Sequence, residues 1–361
     1  MRPLFKVSFR TALAKIEACA DSIRAMESEL GSNMNIDLPR RFEKEYLEPF
    51  FNLLDGAKDH PERVTINLGS LEFSTPTAML VAGVVLRNWV SYRKSLSLDT
   101  WRSEVNENNQ AHSYLMHLGF FDFINIQAGK KVGEARGSLT YLPIRVIKRP
   151  DKSAEVNGLD AWYESLESVA RGLAGVVAGS HDDSKELRIY TYSIREIVRN
   201  VFEHSGADEC LICGQRWANG AVEFAVVDEG VGISNSLRDV FNIENDEEAL
   251  VQAISPGVSR TVGFSKEKNV YDNSGFGLYV LSQVGSNFGW FALGSGQAKL
   301  IGSNREFVTS RFSFVGTFVG IRLNKTPSDF RELLGDIVSA GEQEAKLSGR
   351  ERKASAFSKL F

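Results

Sequence analysis

The chain of 361 residues contains 43% hydrophobic residues, which is enough to bury a large core, and its length favours two or three domains. Its 42 basic and 46 acidic residues give a formal net charge of -4, so no polybasic face is expected that could neutralise nucleic-acid phosphates. No apolar run is as long as a transmembrane helix, and three cysteines are too few for a disulfide framework. We therefore expect a cytoplasmic protein whose partners are neither nucleic acids nor membranes.

The first segment, residues 1–58, shows the spacing of apolar residues that is typical of helices. These apolar positions are Leu13, Ile16, Ile23, Met26, Phe42, Tyr46, Phe50 and Leu53. The pattern predicts a helical N-terminal segment.

Residues 59–150 alternate between strand and helix patterns. VTINL, from Val64, predicts a strand, and Ser74 or Thr75 followed by Pro76 predicts the start of a helix. The elements predicted after this helix are a strand at Ser95–Leu98, a helix over Ala111–Leu118 that ends at Gly119, and a strand in SLTYLPIRVI. The sequence therefore predicts a small α/β domain with its boundary near Pro150.

The remainder predicts a second α/β domain over residues 151–325, followed by a helix and a charged tail over residues 326–361. Its predicted helices are Trp162–Val177, Leu187–His204 and Gly277–Val284. Its predicted strands are Glu209–Trp217, Val222–Asp228, Arg305–Phe314 and Thr317–Leu323. This order favours an α/β sandwich with a mixed, mostly antiparallel sheet.

The helix from Leu187 carries the first group of candidate functional residues. Its apolar stripe is formed by Tyr190, Ile194, Ile197, Val198 and Val201, and the opposite stripe by Glu196, Asn200 and Glu203. An amide oxygen of Asn200 could bind Mg²⁺, and Glu196, one turn earlier, could accept a proton during catalysis. A polar helix face of this kind is more often simply solvated.

A second candidate group follows the strand AVEFAVVD. The carboxylate of Asp228 at the strand end could accept a hydrogen bond from the exocyclic amine of adenine, and Gly230 and Gly232 would let the backbone approach the base. The alternative is an ordinary glycine-containing turn.

The third group is NSGFGLYVLSQVG, in which Gly275, Gly277 and Leu278 lie at the start of a helix whose free N–H groups could bind phosphate. It is neither a P-loop nor a dinucleotide-binding fingerprint. The basic segment upstream, residues 256–273, contains Arg260, Lys266 and Lys268 and is interpreted as a lid over the phosphates or as a mere insertion.

The fourth group is VGTFVGIRL, where Gly316 and Thr317 are predicted to join two strands. The hydroxyl of Thr317 could support Asp228 through a water molecule.

Taken in order, the four groups resemble the motifs of the GHKL ATPases, whose ATP-binding domain has the Bergerat fold. REIVRNVFEHS is similar to the N box, VVDEGVGI and NSGFGLYVLS to the two glycine boxes, and FVGTFVGIRL to the closing strand pair. The resemblance implies ATP and Mg²⁺ as cofactors. It implies these roles: Glu196 as general base, Asn200 as Mg²⁺ ligand, Asp228 as adenine reader, Gly230 and Gly232 at the base, Gly275, Gly277 and Leu278 at the phosphates, and Thr317 beside Asp228.

The flanking segments bear on which GHKL protein this chain resembles. His181 lies too close to the N box to be a phosphoacceptor of a histidine kinase. Only a tail is predicted after residue 325, and this argues against a transducer domain. INLGSLEFSTPTAMLVAGVVLRNW resembles, more weakly, a STAS domain, a type of partner of GHKL serine kinases. In such partners a Ser or Thr at the start of the helix is phosphorylated. This chain has Ser74-Thr75-Pro76-Thr77 in place of the usual Asp-Ser-Ser-Gly turn, so helix capping is the favoured explanation of Ser74 and Thr75, and phosphorylation is the alternative.

Two function classes therefore stay open. One is an ATPase or a serine/threonine kinase acting on a partner protein, and the other is a non-catalytic switch gated by ATP. A protein partner is expected through the STAS-like half, and a homodimer is compatible with the sequence. Cys210 and Cys213 are expected on opposite faces of a strand, and Phe224, Phe312 and Phe314 in the core.

Overall fold

The computed structural model of the chain describes residues 33–103, 105–150, 159–261, 274–350 and 353–355. The strands are β1 Met34–Asp37, β2 Arg41–Phe42, β3 Val64–Asn67, β4 Phe73–Ser74, β5 Thr100–Arg102, β6 Tyr141–Lys148, β7 Glu209–Arg216, β8 Val222–Asp228, β9 Gly289–Ser303 and β10 Glu306–Leu323. The helices are α1 Leu47–Ala57, α2 Pro76–Ser95, α3 Gln110–Leu118, α4 Phe120–Phe123, α5 Leu159–Ala178, α6 Lys185–Asn200, α7 Ile233–Leu237, α8 Asp246–Ala253, α9 Gly277–Phe288 and α10 Phe330–Leu347. A 3-10 turn at Lys44–Tyr46 precedes α1, and a π-helical turn at Val201–Ser205 follows α6.

The large sheet has the strand order β6-β7-β8-β10-β9, and every neighbouring pair in it is antiparallel. β9 and β10 form a long hairpin that turns at Asn304 and Arg305, whose φ angles of 50° and 67° suit a two-residue turn. The expected junction of two strands at Gly316 and Thr317 is therefore wrong: β10 runs through both residues, with an irregular register on either side of Phe314. β9 was not predicted.

One face of this sheet packs against α5, α6, α9 and α10 and forms the first core. The apolar stripe predicted for α6 is buried there, as are Trp162 from α5 and Val280 from α9. Helix α6 begins after Ser184, whose side chain accepts a hydrogen bond from the N–H of Leu187. The periodicity of the sequence thus placed the face of α6 correctly.

The N-terminal unit, residues 33–126, contains a small parallel sheet in the order β1-β3-β5. The expectation of helix throughout residues 1–58 is wrong for 34–42, where β1 pairs with β3 and β2 pairs with β4. The helical prediction at Leu13, Ile16, Ile23 and Met26 lies outside the described residues. The expected strand at Ser95–Leu98 is also wrong, because α2 continues to Ser95 and the strand is Thr100–Arg102.

Helix α2 covers the opposite face of the large sheet and forms the second core. Phe312, Phe314 and Phe318 of β10 belong to this core, where the ring of Phe312 packs on that of Phe51 in α1, so the sheet is buried on both faces. Phe224 lies in the first core, which confirms the core assignment of the predicted phenylalanines. Cys210 faces the first core and Cys213 the second, as expected for residues three apart on a strand.

Strand β6 lies in a different place from the one that the sequence predicted, whereas helix α3 ends where it was predicted to end. Strand β6, which the sequence placed before a boundary at Pro150, pairs with β7 and is the edge strand of the large sheet. Helix α3 ends as predicted at Gly119, which has the left-handed φ of 81°.

Among the helices that the structure describes, none is both long and apolar enough to cross a bilayer.

Candidate functional site

A single cleft between α6, the end of β8, the part of β10 beside it and the start of α9 collects most of the predicted site residues. Its empty volume is about 940 Å³, the open mouth included. Eight of the nine predicted residues line it: Glu196, Asn200, Asp228, Gly232, Gly275, Gly277, Leu278 and Thr317. Gly230 is outside the lining. Its N–H donates to Asp228 Oδ1 at 2.8 Å, and it packs directly on Ser205.

The C-terminal end of α6 places polar residues in the cleft. There the helix widens into the π-helical turn Val201–Ser205. Such turns re-aim side chains and are frequent at functional sites. Ser205 at its end contacts the strand end: its carbonyl accepts the N–H of Val231 at 2.8 Å, and its hydroxyl hydrogen-bonds Asp228. Helix α6 and the segment that follows β8 are therefore directly linked.

Glu196 is 2% exposed and is held by two arginines of its own helix. Arg195 Nη2 donates to Glu196 Oε1 at 3.2 Å, and Arg199 Nη1 lies 3.7 Å from Oε2. Arg199 also donates from Nε to Glu203 at 2.7 Å. Although burial opposes the charge, the carboxylates of Glu203 and Glu196 raise the pKa of Arg199 above its usual value. The predicted polar stripe is thus a buried ionic network instead of a solvated face.

Asn200 fits the role of a single protein ligand to a divalent cation. Its Nδ2 atom is buried and has no hydrogen-bond partner among the described residues. Because rotating the carboxamide by 180° exchanges its nitrogen and oxygen, the oxygen can take that position. Mg²⁺ keeps several waters and needs only one or two oxygen ligands from the protein when phosphate oxygens supply others. Within the described residues, no group of three or more His, Cys, Asp and Glu side chains is arranged to hold a metal.

Asp228 is 4% exposed at the end of β8. Burial raises the pKa of its carboxyl to about 6, while the hydrogen bonds from the Gly230 N–H and the Ser205 side chain oppose the rise. A carboxyl group with a perturbed pKa in a cleft is a marker of a functional position. Thr317 stands beside Asp228 in the β8–β10 ladder.

The two glycines at the start of α9 are required by close contacts. A Cβ placed on Gly277 would lie 2.6 Å from Glu196 Oε2 and 3.8 Å from Asn200 Nδ2. Gly275 has a φ of +76°, and a Cβ there would lie 2.4 Å from the carbonyl oxygen of Val258. The helix start therefore lies directly against Glu196 and Asn200, with bare backbone at the cleft.

The sequence did not identify the apolar floor of the cleft, formed by Val226, Leu293 and Val319. Val226 and Val319 each lie two residues from a predicted site residue, so the period of a strand could have indicated them. Leu293 lies on β9, which was not predicted. Arg199, Ser205 and His204 also line the cleft. Arg260 lines it too and donates to the carbonyl oxygen of Glu203, whereas Lys266 and Lys268 of the expected lid lie outside the described residues.

Helix α2 starts differently from the capping prediction. Thr75 occupies the N-cap position, but its side chain makes no capping hydrogen bond. Instead Glu223 Oε1, from β8, accepts the N–H of Thr77 at 3.0 Å. Ser74 and Thr75 are 6% and 3% exposed, so this turn is covered by the sheet.

Comparisons of the chain with protein-family models, with curated proteins and with solved structures found no match.

Proposed function

We propose that the chain binds an adenine nucleotide with Mg²⁺ in the cleft between α6, β8 and α9. One observation carries the proposal: Asp228, Asn200 and Gly277, which lie on three separate elements, line the same cleft. The sequence resemblance assigns these residues to the base, the cation and the phosphates. Their convergence supports the assignment because a nucleotide needs groups for its base, its cation and its phosphates within one cleft.

The chemistry of the cleft suits each part of a nucleotide. The apolar floor of Val226, Leu293 and Val319 can pack against a purine, while Asp228 accepts a hydrogen bond from the exocyclic amine. The first N–H groups of α9 have no acceptors within their own helix and can donate to phosphate oxygens. The cation, when bound, would neutralise charge on the phosphates, with Asn200 as its protein ligand.

Calorimetry is the direct test of this proposal. We expect ATP and ADP to bind with Mg²⁺ present and GTP to bind much more weakly, because Asp228 cannot accept a hydrogen bond from the carbonyl that guanine carries instead of the amine. Absence of heat with every adenine nucleotide would refute the proposal.

The reaction we favour is ATP hydrolysis, or transfer of the γ-phosphoryl group to a Ser or Thr of a partner protein. Glu196 would take the proton from the attacking water or hydroxyl as the bond to the γ-phosphorus forms and ADP leaves. To do so, its carboxylate must exchange a contact with Arg195 or Arg199 for the nucleophile.

Replacing Glu196 tests this role. We expect Glu196→Ala to lower phosphate release about 100-fold or more, the usual contribution of general-base catalysis, while ATP affinity changes little. Release from γ-labelled ATP and calorimetry measure the two quantities. Glu167→Ala is the matched control, because Glu167 also pairs with Arg195, at 3.1 Å, but does not line the cleft. Unchanged turnover in Glu196→Ala would remove Glu196 from the mechanism.

A second candidate function, a non-catalytic switch gated by ATP, is favoured by the state of Glu196. Each of its oxygens faces a guanidinium group, so it is not free to act as a base in the nucleotide-free protein. ATP binding without phosphate release or labelled protein would decide for this candidate.

The raised pKa of Asp228, about 6, predicts a pH dependence for nucleotide binding. An ionised carboxylate accepts a hydrogen bond from the adenine amine more strongly than a protonated carboxyl does, so we expect the contribution of Asp228 to ATP affinity to increase between pH 5 and 7, with a midpoint at about pH 6. Calorimetry at constant ionic strength across this range measures it. Because the terminal phosphate of ATP also titrates at about pH 6, the wild-type profile is compared with that of Asp228→Asn, and we expect the wild-type affinity to rise more steeply. Equal slopes in the two proteins would contradict the role of Asp228.

A further inference from the structure

Helix α2 of the N-terminal unit is attached along strand β8 of the nucleotide cleft at two points. Near the start of the helix, Glu223 accepts the N–H of Thr77, and Arg322 Nη1 lies 3.5 Å from the other oxygen of Glu223. Ten residues later, Arg87 and Asn88 reach Glu229, which directly follows β8. Ten helical residues rise about 15 Å and six strand residues about 20 Å, so the helix lies along the strand for its length.

The second attachment joins two side chains of α2 to the carboxylate of Glu229, and a ring contact supports one of them. The Arg87 guanidinium forms an ion pair with Glu229 Oε2, and Asn88 Nδ2 donates to Glu229 Oε1 at 3.0 Å. The guanidinium also lies 4.7 Å from the ring centre of Phe123, another residue of the N-terminal unit. Both oxygens of Glu229 are therefore held by the N-terminal unit.

Glu229 lies in the chain between Asp228, the base-reading residue, and Gly230, which helps to orient its carboxyl. It follows Asp228 and precedes Gly230, whose N–H donates to Asp228 Oδ1. On the other side, a Cβ placed on Gly316 would lie 2.7 Å from the Glu229 Cα, so β10 presses on the same backbone. A displacement of the Glu229 backbone must move Asp228, Gly230 or both.

We propose that Arg87 and Asn88 are positioning residues of the nucleotide cleft, which hold Glu229 and thereby keep Asp228 directed at the base. This inference rests on the proposed function. It makes the N-terminal unit part of the apparatus that reads the nucleotide, and any partner that moves α2 would alter base recognition.

The test compares the double variant Arg87→Ala/Asn88→Ala with Arg63→Ala. Arg63 is a matched control, because it also pairs with a carboxylate, Asp99 at 2.8 Å, and stacks on a ring, Trp101 at 4.2 Å, but far from the cleft. In the nucleotide-free protein we expect faster amide hydrogen exchange at Gly230 and Val231 in the double variant. We also expect ATP affinity to fall about 5-fold or more and the preference for ATP over GTP to shrink. Arg63→Ala should change none of these.

Two conservative variants separate positioning from general damage. Arg87→Lys keeps the charge and should restore part of the ATP preference, and Glu229→Gln keeps the shape and should show a smaller loss in the same direction. If the double variant does not fold, these two variants carry the test alone. Wild-type exchange together with an unchanged ATP-to-GTP ratio would overturn the inference and leave the proposed function standing. A wild-type protein that binds no adenine nucleotide would overturn both.

Discussion

Asp228→Asn is expected to stabilise the nucleotide-free protein at neutral pH and to abolish selective adenine binding. Burial raises the pKa of Asp228 from 3.8 to about 6, so the folded protein holds this proton more tightly than the unfolded chain does. The free energy of unfolding therefore falls as the pH rises through the window from about 4 to 6, and the full cost of the buried charge is present above it. Removing that charge should raise the free energy of unfolding by about 1–3 kcal/mol at pH 7.

The ATP affinity of Asp228→Asn should decrease, although its stability increases. Asparagine can present an NH₂ group where adenine offers a donor, and the carboxylate that distinguishes adenine from guanine is gone. We expect a loss of ATP affinity of about 100-fold, equivalent to about 2.7 kcal/mol. A gain in stability with a loss of binding is the pattern of a residue kept for function.

Urea unfolding at pH 5 and 7.5 and calorimetry with ATP measure the two effects. Asp208→Asn is the control, because it removes the same charge from an exposed position close to β8. We expect the stabilisation by Asp228→Asn to be smaller at pH 5 than at pH 7.5. Equal ATP affinity in the variant and the wild type would exclude Asp228 as the base-reading residue.

Arg93→Met is expected to destabilise the protein by roughly 3–5 kcal/mol, the largest stability loss that we predict. Arg93 is fully buried on α2, and its guanidinium donates to oxygens of the α1–β3 connection and of β5. These acceptors are the carbonyl oxygens of Ala57, Lys58, His60, Glu62 and Asp99 and the hydroxyl of Thr100. Methionine fills a similar volume but leaves buried acceptors without donors.

Chemical denaturation followed by fluorescence measures this loss. Lys94→Met is the matched control, since it removes a positive charge from the next, exposed position of the same helix. Because the second core is shared by α2 and the large sheet, the loss should appear in the main unfolding transition. Arg93→Lys should recover little, because an ammonium group cannot reach acceptors on both sides of the helix end. A change below 1 kcal/mol in Arg93→Met would show that water replaces the guanidinium.

Local patterns predicted the elements of the cleft. The stripe on α6, the carboxylate at the end of β8 and the glycines at the start of α9 are each defined by neighbouring residues, because helix and strand periods and glycine geometry act over a few positions. These patterns placed Glu196 and Asn200 on one helix face and Asp228 at a strand end. The α/β class with a largely antiparallel sheet followed from the order of the elements.

Long-range pairing was beyond the sequence patterns. β1 pairs with β3 across about thirty residues, and β6 joins β7 across a break in the described chain, because strand partners are chosen by the shape of the assembled core. The hairpin turn at Asn304 and Arg305 also decided where β10 begins, and it replaced the expected junction at Gly316.

Local spacing along the chain determined which groups this protein can bring to a site: a helix with Glu196 and Asn200, a strand ending in Asp228, and a bare helix start at Gly277. Only the tertiary structure decided that Glu223 binds the start of α2 and that Arg87 holds Glu229. The physical reason is that periodicity is a property of adjacent residues. Charge pairing depends on which distant surfaces the burial of two cores brings into contact.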